Sequence, residues 1–375
     1  MQERYAMDSV DLTVNRLPVP TWNRLKMNES KVTVSLADGG CKPVISLQGN
    51  ICLRQSDCSD SAGCCRIAGA CPVHGDGFSD IETGMGAAVS GLGTPSVLQV
   101  IAECDEKGVA SLNFDYADGS SKYNLIEIEA KPKSDITVYM TYIASANAGG
   151  TASVQTKIIA GEGAKVRLVQ IQLLGKNFLH LNDVGAELKK DSSLDVVQLQ
   201  LGASKIYNGA KAKLAGDSSN FSCSVGYYGR EGQHLDMNFV ADHYGKKSTS
   251  FMTGDGVLQQ GAFKIYRGTI NFKRGCVDAE GEEQEKVLLL SDDVVNQSIP
   301  LILCAEEQVQ GNHGASIGRL DESLLFYLCS RGFDERQATD MMAKASIEAL
   351  LHKVQDEKIV QVVERYLEGV TVDAR

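Results

Sequence analysis

The sequence predicts a mainly β protein that ends in an α-helical domain. Short β-type runs recur between residues 150 and 275, and Gly, Asn or Asp separates each run from the next. No helix-period pattern of any length interrupts these runs, whereas apolar residues return at helical spacing near the C-terminus. The first two observations predict a β core, and the third predicts a helical domain behind it.

We divide the 375 residues into four parts. They are an N-terminal segment (1–30), an N-terminal β region (31–149) with a Cys-rich insertion at about 41–93, a β core (150–320) and a C-terminal helical domain (321–375). In the first part Pro18 and Pro20 force extended backbone. Trp22 is the only tryptophan, and we expect it to be a packing anchor because aromatic side chains bury large areas.

Strand-like runs mark both β regions. Lys165–Leu168 and Lys211–Leu214 alternate polar and apolar residues, as strands with one buried face do. Eight or more short strands at this spacing fit a sandwich, a barrel or a β-helix, and periodicity alone does not choose among them. The runs are Lys31–Leu36, Leu112–Tyr116 and Asp135–Tyr142, followed in the core by Val154–Ile159, Lys165–Leu173, Leu194–Leu201, Ala210–Leu214, Phe221–Tyr228, Leu235–Ala241, Ser248–Thr253 and Phe263–Phe272.

Three helices are predicted in the C-terminal domain. Asp321 is placed to cap a helix over Glu322–Ser330, which a basic residue and Gly332 close. Asp334 opens a second helix, and a third runs from about Glu357 to Leu367. A helical tail of this kind either docks a partner or caps the end of the sheet.

Composition and charge exclude several classes of protein. The net charge of −11 argues against a nucleic-acid or anionic-membrane surface, both of which need clustered Lys and Arg. The longest apolar stretch, about Ile299–Ala305, is far too short to span a membrane, and Met1–Asn15 lacks a signal-peptide core. Eleven cysteines without such a signal predict reduced thiols and a cytoplasmic protein.

Cys304 and His313 are the first candidate ligands. Cys304 lies in an apolar run, so it is either a small core thiol or a thiolate that holds sulfur or iron. His313 lies in a Gly-Asn-His-Gly turn, where its imidazole either ligates iron or zinc or bonds a backbone carbonyl. Nine residues of one straight strand span roughly 30 Å. The two side chains can therefore meet only if the chain turns near Glu306–Gln310 or if each comes from a different subunit.

The Cys-rich insertion holds a second candidate metal site. Its spacing does not match the paired C-x2–4-C pattern of structural zinc sites, so a flexible Cys-bearing insertion is the alternative. If this site binds metal, the chain is a cytosolic metal-binding protein. The candidate ligands are Cys52, Cys58, Cys64, Cys65, Cys71 and His74.

Other motifs give little support to catalysis. No Gly-x-x-x-x-Gly-Lys phosphate loop and no dinucleotide fingerprint occur. Gly314–Gly318 matches Gly-x-Ser-x-Gly, but that motif needs a strand running into the serine and a helix starting at it, so we treat the match as chance. His180, His234 and His243 have no convergent partners in the sequence and are interpreted as structural.

The segment around His313 contains three motifs, NHGASIGRLD (312–321), LFYL (325–328) and SRG (330–332). With these motifs the segment resembles the SufB/SufD family of iron–sulfur cluster assembly proteins, in its SufD branch. Upstream, the sequences LLLSDDVVNQSIPLILCAEE (288–307), DH (242–243), GAFKIYRGTINF (261–272) and LPVPTWNRLKMN (17–28) are similar to the family too. The resemblance runs continuously over about residues 150–350.

This resemblance implies a right-handed parallel β-helix core with helical segments beside it. It also implies a SufC-like ABC ATPase bound through the C-terminal helices. The β-helix is expected to pair with a SufB-like subunit or with a second copy, and a transient iron–sulfur cluster is expected at that interface.

Carried over by position, the resemblance makes His313 the candidate metal ligand. The SufB cysteine proposed to receive sulfur falls near Glu285, where this chain has no cysteine, and Gly314 stands where SufB has a glutamate. Cys304 inherits no role and is expected to be a core thiol. The expected function is a non-catalytic SufD-like scaffold subunit, because an imidazole holds iron by ligation and not by turnover. The alternative is a β-helix carbohydrate-active enzyme, which would need converging carboxylates in a groove.

Overall fold

A computed structural model describes residues 9–35, 41–55, 77–319 and 322–373, without the side chains of residues 87, 88, 90 and 370–373. Its strands are β1 (Ser9–Val14), β2 (Ser30–Ser35), β3 (Val44–Gly49), β4 (Ile51–Gln55), β5 (Ser96–Ala102), β6 (Lys107–Tyr116), β7 (Ser120–Ala130), β8 (Asp135–Ala144), β9 (Gly149–Ala160), β10 (Lys165–Leu173), β11 (Asn177–Leu188), β12 (Ser193–Gln200), β13 (Lys205–Leu214), β14 (Asn220–Gly229), β15 (His234–His243), β16 (Thr249–Leu258), β17 (Phe263–Phe272), β18 (Ala279–Leu289), β19 (Val295–Cys304) and β20 (Val309–Arg319). The helices are α1 (Glu322–Ser330), α2 (Glu335–Leu351) and α3 (Glu357–Asp373).

Two nine-stranded sheets form the body of the molecule. The first sheet contains β4 and the odd-numbered strands from β5 to β19, and the second contains β3 and the even-numbered strands from β6 to β20. Each strand from β5 onward pairs in parallel with the strand two places further along, so the chain returns to the same position every 27–31 residues over β10 to β18. Stacked parallel coils of this kind are a β-helix. The mainly β prediction and the β-helix implied by the resemblance are confirmed.

The core lies in the lumen between the two sheets. In β10, Val166 and Leu168 point inward and are buried, while Val169 and Ile171 point outward and are covered by the C-terminal helices. The polar–apolar alternation predicted for residues 165–168 is therefore confirmed for the inner face. Both faces of the later part of this strand are buried, because Gln170 and Gln172 are as inaccessible to solvent as Val169 and Ile171.

One corner of the coil repeats a left-handed residue from coil to coil. Each such residue donates its backbone N–H to the carbonyl of the next corner, as Gly163 does to Lys190 at 2.9 Å and Asp191 does to Asp217 at 2.9 Å. The stacked residues are Lys133, Gly163, Asp191, Ser218, Lys247 and Asp278, with φ between +54° and +66°. The Gly- and Asp-rich punctuation in the sequence thus marks the corners of the coils.

Several strand predictions need correction. The predicted bounds of β10 and β17 are confirmed, but β11, β18 and β20 were not predicted. The turn expected at residues 311–314 is wrong, because these residues pair in register with residues 281–284 of β18. Pairing to a neighbouring strand overrides the local turn preference of the glycines.

The three C-terminal helices are confirmed, and α2 and α3 pack on the outer face of the second sheet. Ile347, Leu350 and Val363 join Val169 and Leu199 in one apolar cluster. Asp334 caps α2 through a capping box with Gln337, as predicted. Asp321, expected to cap α1, lies outside the described residues. Within the described chain, no helix is long and apolar enough to cross a membrane.

The packing role expected for Trp22 is wrong. Trp22 lies in the loop between β1 and β2, and 41% of its side chain is exposed. Leu17 and Met27 are the buried residues of this segment. The large area of an aromatic side chain predicted an anchor, but the loop leaves two fifths of Trp22 exposed.

Candidate functional site

The C-terminal end of the solenoid presents two long edge strands. β19 and β20 are the last strands of their sheets and have 10 and 11 residues. Arg319 is the only residue in these two strands with a charged Asp, Glu, Lys or Arg side chain. The opposite end is closed by β3 and β4, which are shorter and antiparallel. Proteins usually protect exposed edge strands with charges, because an uncharged edge pairs with other strands. The open end is therefore suited to pairing.

His313 lies on this open end. It is the fifth residue of β20, its side chain is exposed, and it pairs in register with Glu283 of β18. Strand alternation puts His313 on the same face as Gly311. A side chain at Gly311 would point toward Phe272 and Ile302 inside the coil. The imidazole thus belongs to the inner face of the last coil, where incoming groups can reach it.

The core position expected for Cys304 is wrong. Cys304 ends β19 on the last coil and is exposed, with its thiol donating to the backbone oxygen of Glu306 at 3.0 Å. An apolar run is not enough to bury a residue of the last coil, because no following coil covers it in the described chain.

Cys304 and His313 do not come together. The chain does turn at residues 305–308, as a shared site would require. His313, however, lies four residues along β20 beyond that turn, which is roughly 13 Å of strand. The geometry therefore does not bring Cys304 to His313 within one chain.

Directly beneath the last coil, the lumen holds a buried ion pair. Lys264 and Glu285 are 0% and 3% exposed and form a salt bridge. The Lys264 ammonium also donates to Asn296 Oδ1 at 2.8 Å and Ser298 Oγ at 3.2 Å, and Tyr227 donates to Glu285 at 3.3 Å. Burial lowers the pKa of Lys264, and the charge of Glu285 opposes that shift. The pair links β17 and β18 to the edge strand β19.

Glu283 lies beside this pair and is buried in the same lumen. Burial, and after it the charge of Glu285, raise the pKa of Glu283 to about 8, although the charge of Lys264 opposes the shift. Its Oε2 has no hydrogen-bond partner among the described residues. At neutral pH the group therefore mostly holds its proton, next to the strand that bears His313.

Sequence reasoning missed this polar cluster. GEEQEK at 281–286 has the composition of a solvated charged run. The alternation of Glu283, Glu285 and Val287 on one face was the available signal, because Val287 is a core residue. The carboxylates face a closed lumen and not a groove, so they do not form the substrate-flanking pair that a carbohydrate-active enzyme needs.

Most of the Cys-rich insertion lies outside the described residues. Cys52 is half-buried on β4. Cys58, Cys64, Cys65, Cys71 and His74 are among the residues that the structure leaves undescribed. Elsewhere in the described chain, no group of three or more His, Cys, Asp or Glu is arranged to hold a metal ion.

The other sequence candidates have structural roles. His180 and His243 are buried, and burial lowers the pKa of each to about 4, so both are neutral at pH 7. His243 bonds Ser248 and Ser250, both at 2.8 Å, and His234 stacks on Phe263. Ser316 lies within β20 and has no helix starting at it, which agrees with a chance motif match.

The C-terminal helices present exposed apolar side chains. Phe326 is 76% exposed, and the other large ones are Leu324, Tyr327, Met341 and Val362 in the helices and Phe333 in the loop between α1 and α2. A concentration of exposed aromatic and aliphatic groups on one short segment is typical of a surface that binds another protein.

Comparison with known proteins finds a matching family. A family model for the SufBD core domain of SUF-system iron–sulfur cluster assembly matches residues 114–346. The SufD iron–sulfur cluster assembly protein of Bacillus subtilis is 24% identical over 255 residues, 66% of this chain and 58% of that protein. A SufBD family protein of Mycobacterium tuberculosis is 24% identical over 263 residues, 67% of this chain and 65% of that protein. The matches thus span about three fifths of the length of these relatives.

Proposed function

This chain belongs to the SufBD core family of the SUF iron–sulfur cluster assembly system, and on that premise we propose that it is a non-catalytic, SufD-like scaffold subunit. It pairs through its β-helix with another subunit of the family, either SufB-like or a second copy. Its free thiols fit a reducing cytoplasm, since all seven cysteines described are unpaired.

The uncharged open end is the observation on which the proposal rests. β19 and β20 are edge strands of 21 residues together with one charged side chain, Arg319, and Pro300 is the one residue among them without a backbone N–H. A partner strand can satisfy their backbone N–H and C=O groups without burying unpaired charge. Pairing at this end also covers His313, which its own chain leaves exposed.

We assign His313 the role of a ligand to an iron–sulfur cluster that is cargo and not a resident cofactor. A neutral imidazole is a good ligand for iron. One exposed histidine cannot hold a cluster, because clusters are usually held by several protein ligands. The partner subunit has to supply the remaining ligands, so the site forms only in the assembled pair.

We also propose that the C-terminal helices dock an ABC-type ATPase of the SufC kind. The exposed apolar side chains of Phe326 and Tyr327 on α1 support this docking. α2 and α3 pack on the second sheet, so motion of a bound ATPase reaches the β-helix through Ile347 and Val363.

Replacement of His313 by alanine tests the ligand assignment. The full chain is co-expressed with a SufB-like subunit and the ATPase, and cluster yield is measured by iron and sulfide content after reconstitution. His313→Ala should reduce the yield at least about tenfold while complex formation and stability stay unchanged, because exposed substitutions usually change stability by less than about 0.5 kcal/mol.

Asn312→Ala, at the neighbouring exposed position, is the matched control and should retain wild-type yield. Unchanged cluster yield in His313→Ala would refute the ligand assignment. If neither an ABC-type ATPase nor a SufB-like subunit co-purifies with the wild-type chain, the scaffold proposal itself is wrong.

A further inference from the structure

An N-terminal arm runs along the outside of the first sheet. The arm is the hairpin of β1 and β2 with the loop between them, residues 9–35. Ser121 of β7 donates to the carbonyl of Ser35 at one end of the arm, and Asn15 donates to Asp236 of β15 further along at 2.7 Å. The arm therefore crosses successive coils and runs toward the open end.

A buried charge network fixes the arm to the solenoid. Asp236 and Arg267 are both essentially inaccessible to solvent and form a salt bridge. Ser30 of the arm donates to Asp236, and Arg267 Nε donates to the carbonyl of Met27 at 2.8 Å. Hydrogen bonds to buried charged groups hold an element in a defined position. The arm is thus a fixed part of the fold.

The tip of the arm lies at the level of the last coil. Leu17 and Met27 pack against Ile265 of β17 and Ile299 of β19 on the outer face of the first sheet. The loop of residues 18–26 lies between these two residues. Its Trp22 N–H donates to Asn28 Oδ1, just after the loop, at 2.8 Å. The tip therefore lies at the same end of the molecule as the uncharged edges of β19 and β20.

The tip exposes apolar and basic side chains. Val19, Trp22 and Leu25 are 40%, 41% and 61% exposed. Arg24 and Lys26 are exposed beside them, whereas the corner loops of the last coils expose Asp293 and Glu307. The tip of one molecule and the end of another are thus complementary in charge.

We propose that the tip of residues 18–26 clasps a second copy of this chain when two copies join end to end through β19 and β20. This inference rests on the proposed β-helix pairing. A second copy fits because a two-fold contact places the same edge on both sides of the interface, and edges with one charge in 21 residues do not repel each other. Trp22 and Leu25 then bury against the end of the partner, and the basic tip meets its acidic corner loops.

The single tryptophan makes the clasp directly measurable. Trp22 is the only tryptophan in the chain, so its emission reports the environment of the tip alone. The full chain is diluted through its association range while dimerisation is followed by sedimentation equilibrium. Trp22 emission should shift to shorter wavelength in step with dimer formation, and Leu25→Asp should weaken dimerisation at least about tenfold.

Two further variants separate the clasp from the pairing on which it rests. Val44→Asp alters a residue that is 71% exposed at the opposite end of the solenoid, and it should dimerise like the wild type. Ala315→Pro places a proline in the edge strand β20 and should abolish the dimer if edge pairing forms it.

Each result decides one of the two inferences. If Ala315→Pro abolishes the dimer, but Trp22 emission does not shift on dimerisation and Leu25→Asp dimerises with wild-type affinity, the clasp is wrong and the edge pairing stands. If the chain stays monomeric at all concentrations, the proposal that the tip binds a second copy of this chain is wrong. Pairing with a SufB-like subunit is then measured separately, so failure of the clasp is not mistaken for failure of the proposed function.

Discussion

Replacement of Lys264 by methionine tests whether the buried ion pair stabilises the last coils. Methionine keeps most of the volume but leaves Glu285 as a charge in a closed lumen, with only Tyr227 and Ser298 as donors. Removing one partner of a buried pair typically costs about 3–5 kcal/mol. We expect a loss in this range because both members are almost fully inaccessible to solvent.

A double variant separates the lost attraction from the stranded charge. Lys264→Met combined with Glu285→Gln removes both charges and keeps an acceptor for Tyr227 and Ser298. The double variant should therefore recover at least about 2 kcal/mol relative to Lys264→Met alone, since a neutral amide is cheaper to bury than a charge.

Urea denaturation of the full chain provides the assay. The midpoint and slope are compared across the wild type, Lys264→Met, Glu285→Gln and the double variant. Lys286→Met is the matched control. Lys286 is exposed on β18, next to Glu285, so this replacement should change stability by less than about 0.5 kcal/mol. A Lys264→Met loss below about 1 kcal/mol, or a double variant as unstable as the sum of the two single ones, would refute the reasoning.

Two further predictions concern Asp183 and Asp334. Burial raises the pKa of Asp183 to about 6, above its ordinary value of 3.8. Its contribution to stability is therefore full below about pH 4 and falls, by up to about 3 kcal/mol, as pH rises through 6. Asp183→Asn should abolish that pH dependence in urea titrations, and an unchanged profile would contradict the assignment. Asp334→Ala removes the capping box of α2 and should cost about 1 kcal/mol. A loss no larger than that of Glu364→Ala, at an exposed position of α3, would contradict it.

The sequence predicted many of the strands that repeat from coil to coil because each coil uses the same local rules, while the β-helix itself came from the family resemblance. Alternation gave the inner face of β10, and Gly and Asp marked the corners of the coils. β18 and β20 were missed because one is rich in charge and the other in glycine. Their strand character comes from the coils beside them, which a local pattern does not contain. The four-part division of the chain remains a prediction.

The candidate site was predicted unevenly for a similar reason. The resemblance selected His313, but its place on the inner face of an uncovered coil came only from the structure. Cys304 looked like a core residue because its neighbours are apolar, yet burial depends on whether another coil follows. Glu283 and Glu285 looked solvated because charge normally indicates surface. Inside the lumen, however, Lys264 from the opposite sheet pairs with Glu285, and burial keeps Glu283 mostly protonated.

The position of His313 on the last coil limits what one chain can do. In a solenoid each inner side chain is covered by the next coil, and the last coil has none among the described strands. A ligand placed there stays accessible until a second molecule supplies the missing layer. Beneath it, the buried cluster of Lys264, Glu283 and Glu285 makes the coil below polar but closed. With His313 as the proposed ligand and β19 and β20 as the proposed pairing edge, cluster binding and pairing would be one event, because the same contact would cover the edge and complete the ligand set.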